Sequence, residues 1–280
     1  MSEKPIHILQ WYGSKTKRLK WFRSMLPKNK AELGFADVFC GSGVVGLNLG
    51  KDFSFCVLND IDREVTNFFE VLQDRNDFDE LMRRLSATPH SRAEYAKALK
   101  QPRADRLDRA WAFYVRCNQS MYGTMGCRAT LSSWQTTKWP NAKAGISWFN
   151  RLRKLPMAAE IIERGYTIDT LSFENFLAAY DRPEIFFYCD PPYLSDERNN
   201  NRLSYNDEFG EGDHRKLAVL LKAVKGKVML SHYDSPRYRE WYSAWLQKTD
   251  ETDTEPQKKG YRECLYLNYE PEPELRMEED

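Results

Sequence analysis

The chain has 280 residues, 41% hydrophobic and 14% aromatic, with 42 basic against 41 acidic side chains. At roughly 150 residues per domain this is one large domain or a domain with a sizeable insert, and it is too apolar to be disordered. No apolar run approaches the roughly 18 residues of a membrane span, Met1 to His7 lacks the apolar core of an export signal, and 6 scattered cysteines without a CxxC pair argue against a zinc ribbon or a disulfide framework.

Helix and strand signals alternate from the start. Leu19, Phe22, Met25 and Leu26 form one helical stripe within Lys17 to Leu26, closed by Pro27. Gly34 to Cys40 has buried-strand character and runs into Gly41-Ser42-Gly43, after which Val44 to Leu49 restarts a helix. Phe53 to Leu58 is a second strand, ending in Asn59 and Asp60. Strand, glycine turn, helix and strand make a βαβ unit. From about 62 to 120 the pattern is mostly helical, with Val65, Phe68, Phe69 and Leu72 on one stripe. Tyr122 to Gly145 loses that period and reads as loops or a hairpin. Strand signals resume at Gly165 to Asp169 and at Glu184 to Cys189, and the polar stretch Leu194 to Gly212 reads as a loop. His214 to Val224 is helical, Lys227 to Leu230 a strand and Arg262 to Tyr269 a last strand. Together these predict a doubly wound α/β domain, residues 1–74 and 161–280, interrupted by a mainly helical insert at 75–160.

Charge is distributed unevenly. Arg109 to Ala159 holds no Asp or Glu but carries Arg109, Arg116, Arg128, Lys138, Lys143, Arg151, Arg153 and Lys154, interleaved with aromatic residues. Thr249 to Asp280 is the reverse, with 11 acids and 4 bases. A positive zone with aromatics suits a polyanion, although core aromatics and solvated charges give the same composition.

Two motifs carry chemistry. In the first, Asp37-Val-Phe-Cys-Gly41-Ser-Gly43 follows a buried strand, and Asn59-Asp60 closes the next one. Glycines there let a ligand approach the backbone, and a carboxylate at the end of the second strand can accept both ribose hydroxyls of a nucleoside. A plain turn with Asp60 or Asp62 as helix cap fits the same residues. In the second, Asp190-Pro191-Pro192-Tyr193 follows the apolar strand that ends at Cys189. The prolines make a rigid turn with free carbonyls at the ligand edge of an open sheet. A carboxylate, a carbonyl and an aromatic plane then converge on a flat group bearing an NH₂.

Taken in order along the chain, these motifs resemble the Dam-type DNA adenine-N6 methyltransferases. Trp11, Tyr12, Gly13 and Lys15 look like the N-terminal cofactor motif, Asp37 to Gly43 like the methionine-binding strand and loop, and Asp60 like the ribose-binding residue. Arg116, Asn118 and Tyr122 look like the segment leading into the DNA-reading hairpin. Ser231-His-Tyr233 and Arg262 to Asn268 match later family segments. The resemblance implies a Rossmann-like methyltransferase sheet with an inserted target-recognition domain. It implies S-adenosylmethionine as methyl donor, double-stranded DNA as partner, no metal, no membrane, and a nucleoid-associated cytoplasmic protein.

On that resemblance, Asp190, Pro191, Pro192 and Tyr193 are catalytic. Lys15, Gly41 and Gly43 hold the methionine end of the donor, with Asp37 and Phe39 in the same strand and loop, while Asp60 holds the ribose. Asp169 and Phe173 are candidates for its adenine. Arg128, Lys138 and Lys143 join Arg116, Asn118 and Tyr122 as DNA contacts, although the usual hairpin signature after Gly123 is missing. Cytosine-N4 enzymes more often carry Ser-Pro-Pro-Tyr and protein-glutamine enzymes Asn-Pro-Pro-Tyr, so Asp190 argues against both. Two rivals are an RNA-directed N6 enzyme and a catalytically silent nucleic-acid-binding module. His214, next to Asp213 at a helix start, is expected at the surface. For Lys17, Arg18 and Lys20, phosphate contact and a solvated helix face are both open.

Overall fold

The computed structural model describes residues 4–100, 104–121, 129–135, 144–194, 209–250 and 262–271. Its centre is β4 (Ile185–Cys189), buried at every position, as a strand covered on both faces must be. β1 (Gly34–Asp37) pairs in parallel with one edge of β4, and β5 (Lys227–Tyr233) with the other. β2 (Phe55–Asn59) and β3 (Tyr166–Asp169) extend the parallel sheet outward from β1. β7 (Glu263–Leu267) lies antiparallel between β5 and β6 (Leu246–Thr249), giving the order β3-β2-β1-β4-β5-β7-β6. The winding reverses between β1 and β4, and a crevice opens at their carboxyl ends. Asp37 is in register with Tyr188, so the loop after β1 faces the turn after β4.

Side chains alternate across the sheet. Phe35, Phe186 and Tyr188 point into one apolar cluster, and Ala36, Phe187 and Cys189 into the other. The first cluster is covered by α1 (Leu19–Ser24), α2 (Val44–Leu49) and α3 (Arg63–Gln73). The second is covered by α9 (Phe173–Tyr180), α10 (Glu211–Ala223) and α11 (Pro236–Trp241).

The expected helical run between β2 and β3 is present as α4 (Arg75–Ser86), α5 (Arg92–Leu99), α6 (Arg106–Gln119), α7 (Ala144–Leu152) and α8 (Leu155–Glu163). α6 begins where Asp105 accepts from the amides of Leu107 and Asp108 at 2.6 and 3.0 Å. Its apolar stripe meets α3, with the Phe68 ring 5.6 Å from Phe113 and 5.9 Å from Tyr114. These helices share one continuous core with the α1–α3 face of the sheet.

Strand boundaries differ from the sequence reading: β2 starts two residues later than expected, β5 runs three residues further to Tyr233, and β1 ends early. β1 ends at Asp37, and Val38 to Cys40 form the turn into the crevice loop, although Val38 N still donates to Tyr188 O at 2.9 Å and Cys40 N to Asn59 O at 2.8 Å. β6 has no counterpart in the sequence pattern. Its Leu-Gln-Lys-Thr run is nowhere fully buried and has no apolar alternation.

Candidate active site

Asp37 closes β1 at 1% exposure, and its Oδ1 has no hydrogen-bond partner. Burial, then the nearby charges of Asp190 and Asp60, pushes its carboxyl well above the usual range. The loop that follows needs its glycines. Gly41 and Gly43 have φ of +48° and +67°. A Cβ on Gly41 would meet Trp11 Nε1 at 2.9 Å, and one on Gly43 would meet Phe69 Cζ at 2.6 Å. Trp11 thus lines this loop from the N-terminal segment.

Asp60 ties the second strand to the same loop. Its Oδ2 accepts from the Gly41 amide and its Oδ1 from the Asp62 amide, both at 2.9 Å. Helix capping falls to Asp62, which accepts from Glu64 N at 2.9 Å. Burial pushes Asp60 up to about 6, against the pull of those two amides. Among the described residues, no Lys or Arg pairs with Asp37 or Asp60. A buried, unpartnered carboxylate oxygen, a second carboxylate with spare lone pairs and a glycine cradle fit a ligand that brings hydroxyls and positive charge.

The turn after β4 is built differently. Lys15 is 6% exposed, and its Nζ donates to Asp190 Oδ1 at 2.7 Å, 3.6 Å from Glu263 Oε1. The same ammonium lies 4.7 Å from the centre of the Tyr193 ring. The Tyr193 hydroxyl donates to Glu263 Oε1 and lies 3.4 Å from Ser231 Oγ. Its ring packs 4.3 Å from His232 and 4.6 Å from Tyr233. Burial pushes Asp190 up to about 6, with Lys15 pulling it down and Glu263 adding to the rise. Burial would lower Lys15, but Asp190 and Glu263 outweigh it and hold the ammonium charged. Tyr12 and Gly13 lie in the segment leading to Lys15, and Gly13 O lies 3.4 Å from the ammonium.

Other expected site residues are distributed less simply. Phe39 and Phe173 lie 6.1 Å apart, and Phe209 stands edge-on to both at 5.6 and 5.5 Å. Asp169 is occupied within the fold, accepting from Thr170 N at 2.9 Å and from the Tyr180 hydroxyl at 3.1 Å. Tyr122, Arg128, Lys138 and Lys143 lie outside the described residues.

Arg116 and Asn118, expected on the DNA, are 3% and 0% exposed. Arg116 donates to Ala98 O at 3.2 Å and lies 3.5 Å from Glu64. Asn118 accepts from Gln10 N at 2.8 Å and donates to Ile8 O at 3.1 Å, clamping the segment that carries Trp11 and Lys15. Arg109 is likewise bonded to Glu64 at 2.9 Å, so part of the acid-free stretch turns inward toward an acid on α3.

His214 is also corrected. Asp213 does bond the Gly210 amide at 2.8 Å, but His214 is 1% exposed, with Nδ1 2.5 Å from the Tyr238 hydroxyl. Arg18 does not lie on a solvated face; it pairs with Asp250 and lies 3.7 Å from Glu263. Glu263, Ser231 and Asp250 have no evident role in the sequence alone. The trace of Glu263 is a lone acid opening the otherwise apolar β7 run.

A mixed sheet of this order, with a glycine loop after β1 and a carboxylate turn after β4, is the arrangement of a Rossmann-like fold and is consistent with a methyltransferase. The model of the D12 class N6 adenine-specific DNA methyltransferases matches residues 11–255. The chain belongs to that family, and it is a DNA adenine-N6 methyltransferase. Comparison with curated proteins finds no match. Among the described residues, no helix is long and apolar enough to cross a membrane and no group of His, Cys, Asp and Glu could hold a metal ion.

Proposed function

We propose that the enzyme takes its methyl group from S-adenosylmethionine and places it on N6 of an adenine flipped out of double-stranded DNA. The observation that carries this reading is the pairing of two kinds of carboxylate across one crevice. Among the described residues no cation pairs with Asp37 or Asp60, and Asp190 stands next to Pro191 and near the Tyr193 ring. S-adenosylmethionine, when bound, supplies an electrophilic methyl on a positively charged sulfur. Asp37, the Gly41–Gly43 backbone and Asp60 suit its charge and its ribose, and Phe39 and Phe173 offer ring faces for its adenine.

The adenine amine is a poor nucleophile because its lone pair is delocalised into the ring. Asp190 accepts one of its N–H bonds and the Pro191 carbonyl the other, and both favour the positive charge that builds on nitrogen. Asp190 need not be a strong base, since the resulting nitrogen is very acidic. The Tyr193 ring stacks on the extruded base, for which Lys15 must leave the ring face it now occupies. Residues 75–160 carry target recognition in this reading, with Tyr122, Arg128, Lys138 and Lys143 as contacts.

Labelled S-adenosylmethionine offered with duplex DNA, single-stranded DNA or RNA tests the reading, with the modified base identified by mass spectrometry. N6-methyladenine in duplex DNA is expected. Label confined to RNA would overturn it. So would label on cytosine.

A further inference from the structure

We propose that Glu263 is a positioning residue that holds Lys15 and Tyr193 around Asp190 and keeps Lys15 shared between two carboxylates. The inference rests on the adenine-methylation reading above and extends it to a residue outside the catalytic turn.

The fold explains how a C-terminal strand reaches the site. β7 runs antiparallel to β5, with Glu263 opposite Tyr233. The start of β7 therefore lies at the carboxyl end of β5, on the crevice edge of the sheet. There Glu263 is 4% exposed and fully engaged. Its Oε1 accepts from Ser231 Oγ at 2.5 Å and from the Tyr193 hydroxyl, and lies 3.6 Å from Lys15 Nζ. Its Oε2 lies 3.7 Å from Arg18 Nε. Its carbonyl accepts from Asp250 N at 3.1 Å, and the Asp250 carboxylate pairs with Arg18.

Burying a carboxylate costs several kcal/mol, and an apolar residue often fills such a place with no loss of stability. The chemistry of the cluster gives a reason for the charge. Lys15 beside Asp190 alone would occupy the acceptor that the adenine amine needs. A second carboxylate on the far side of the ammonium divides its attraction and lets it withdraw. The hydroxyl bond from Tyr193 to the same oxygen fixes the ring on which the base would stack. The charged or titratable groups facing Glu263 are Lys15 and Arg18 from the N-terminal segment, Asp190, Tyr193 and Tyr188 from β4 and its turn, Tyr233 from β5, and Asp250 after β6. Two cations thus meet three carboxylates, and neutralising Glu263 leaves Lys15 to Asp190 alone.

Glu263→Gln removes the charge and keeps an acceptor for the two hydroxyls. Glu263→Asp keeps the charge and withdraws it from them. In Glu263→Gln, loss of the like charge should move the acidic limb of kcat/KM and the ¹³C titration of the Asp190 carboxyl in the free enzyme down by about 1 pH unit. Plateau kcat should fall about tenfold, the low end of the loss of one hydrogen bond to a charged group. Glu263→Asp should lower kcat without moving either titration. S-adenosylmethionine affinity should stay within about twofold in both variants, since Glu263 does not face the Asp60 end of the crevice. A purely structural role would lower melting temperature in both variants and move no titration.

A wild-type Asp190 titration and a wild-type kcat in Glu263→Gln would overturn the inference. If Glu263→Gln does not fold, a wild-type kcat in Glu263→Asp overturns it instead. The carboxyl titration needs no substrate. It therefore separates failure of this inference from failure of the adenine reading, which would appear as a wild-type enzyme that modifies no adenine.

Discussion

The two ends of the crevice hold buried carboxylates in opposite ways. At the β1–β2 end, Asp60 is held by the amides of Gly41 and Asp62, Asp37 keeps an oxygen without a partner, and no cation pairs with either among the described residues. At the β4–β7 end, Asp190 and Glu263 share Lys15, and Arg18 stands between Glu263 and Asp250. A carboxylate without a counter-ion is costly in the interior and becomes favourable when a cationic ligand arrives. A carboxylate already paired has little to offer a cation but can still accept an N–H from a neutral amine. The difference predicts which end takes the charged methyl donor and which takes the base.

The strongest way to break this contrast is Asp190→Ala. Removing the acceptor for the reacting nitrogen should cost at least about 10²–10³-fold in turnover, the scale of one aligned electrostatic stabiliser. Steady-state methylation measures it, and a variant retaining a tenth of wild-type turnover would remove Asp190 from the chemistry.

Tyr193 sharpens the contrast from the base side. Tyr193→Ala should lose about 1–3 kcal/mol of stacking in kcat/KM, less when the target adenine sits opposite a mismatch. From sequence, the hydroxyl has no evident role and Tyr193→Phe should be mild. The bond to Glu263 changes that, so Phe should lose activity measurably while staying better than Ala. An Ala variant equal to the Phe variant would contradict stacking.

Asp190 stabilises the positive charge building on nitrogen most strongly when ionised, so its value of about 6 in the free enzyme places the acidic limb of kcat/KM near pH 6. Stability has the opposite sign. The unfolded carboxyl loses its proton near about 3.9, so between about pH 4 and 6 the native state binds more protons and the contribution of Asp190 to stability falls as pH rises. Denaturation of wild type and Asp190→Asn across that window should therefore favour the Asn variant increasingly toward pH 6. A gap that narrows as pH rises would contradict the buried, raised carboxyl.

The smallest effects concern the basic stretch. Neutralising Arg128, Lys138 and Lys143 should reduce the slope of log affinity against log salt by roughly 0.9 for each of them that meets a phosphate. Arg109→Ala should leave the slope unchanged, because that guanidinium already meets Glu64.

How much could be read from sequence follows from distance along the chain. β1, β2 and β4 are apolar runs, and the crevice loop, Asp60 and the Asp190 turn are short local motifs, so each was legible by itself. β6 has no apolar alternation to announce it. The Lys15–Asp190 pair joins residues 175 positions apart, and the Tyr193–Glu263 bond spans 70. No local pattern encodes either. The internal partners of Arg116 and Asn118 are likewise invisible in the local sequence. The resemblance to a segment leading into a DNA-reading hairpin put both residues on a ligand, whereas their partners here, Glu64 and the backbone of Ile8, come in from other elements. The absence of acids from Arg109 to Ala159 was real in sequence, but α3 brings one to it.

Calorimetric titration of wild type, Asp60→Ala and Asp190→Ala with S-adenosylmethionine tests the charge contrast most directly. Asp60→Ala should weaken binding by about 1.5–3 kcal/mol, the range for hydrogen bonds to a charged group, and Asp190→Ala should bind like wild type. A loss of affinity in Asp190→Ala that equals or exceeds the loss in Asp60→Ala would contradict the assignment of the two ends.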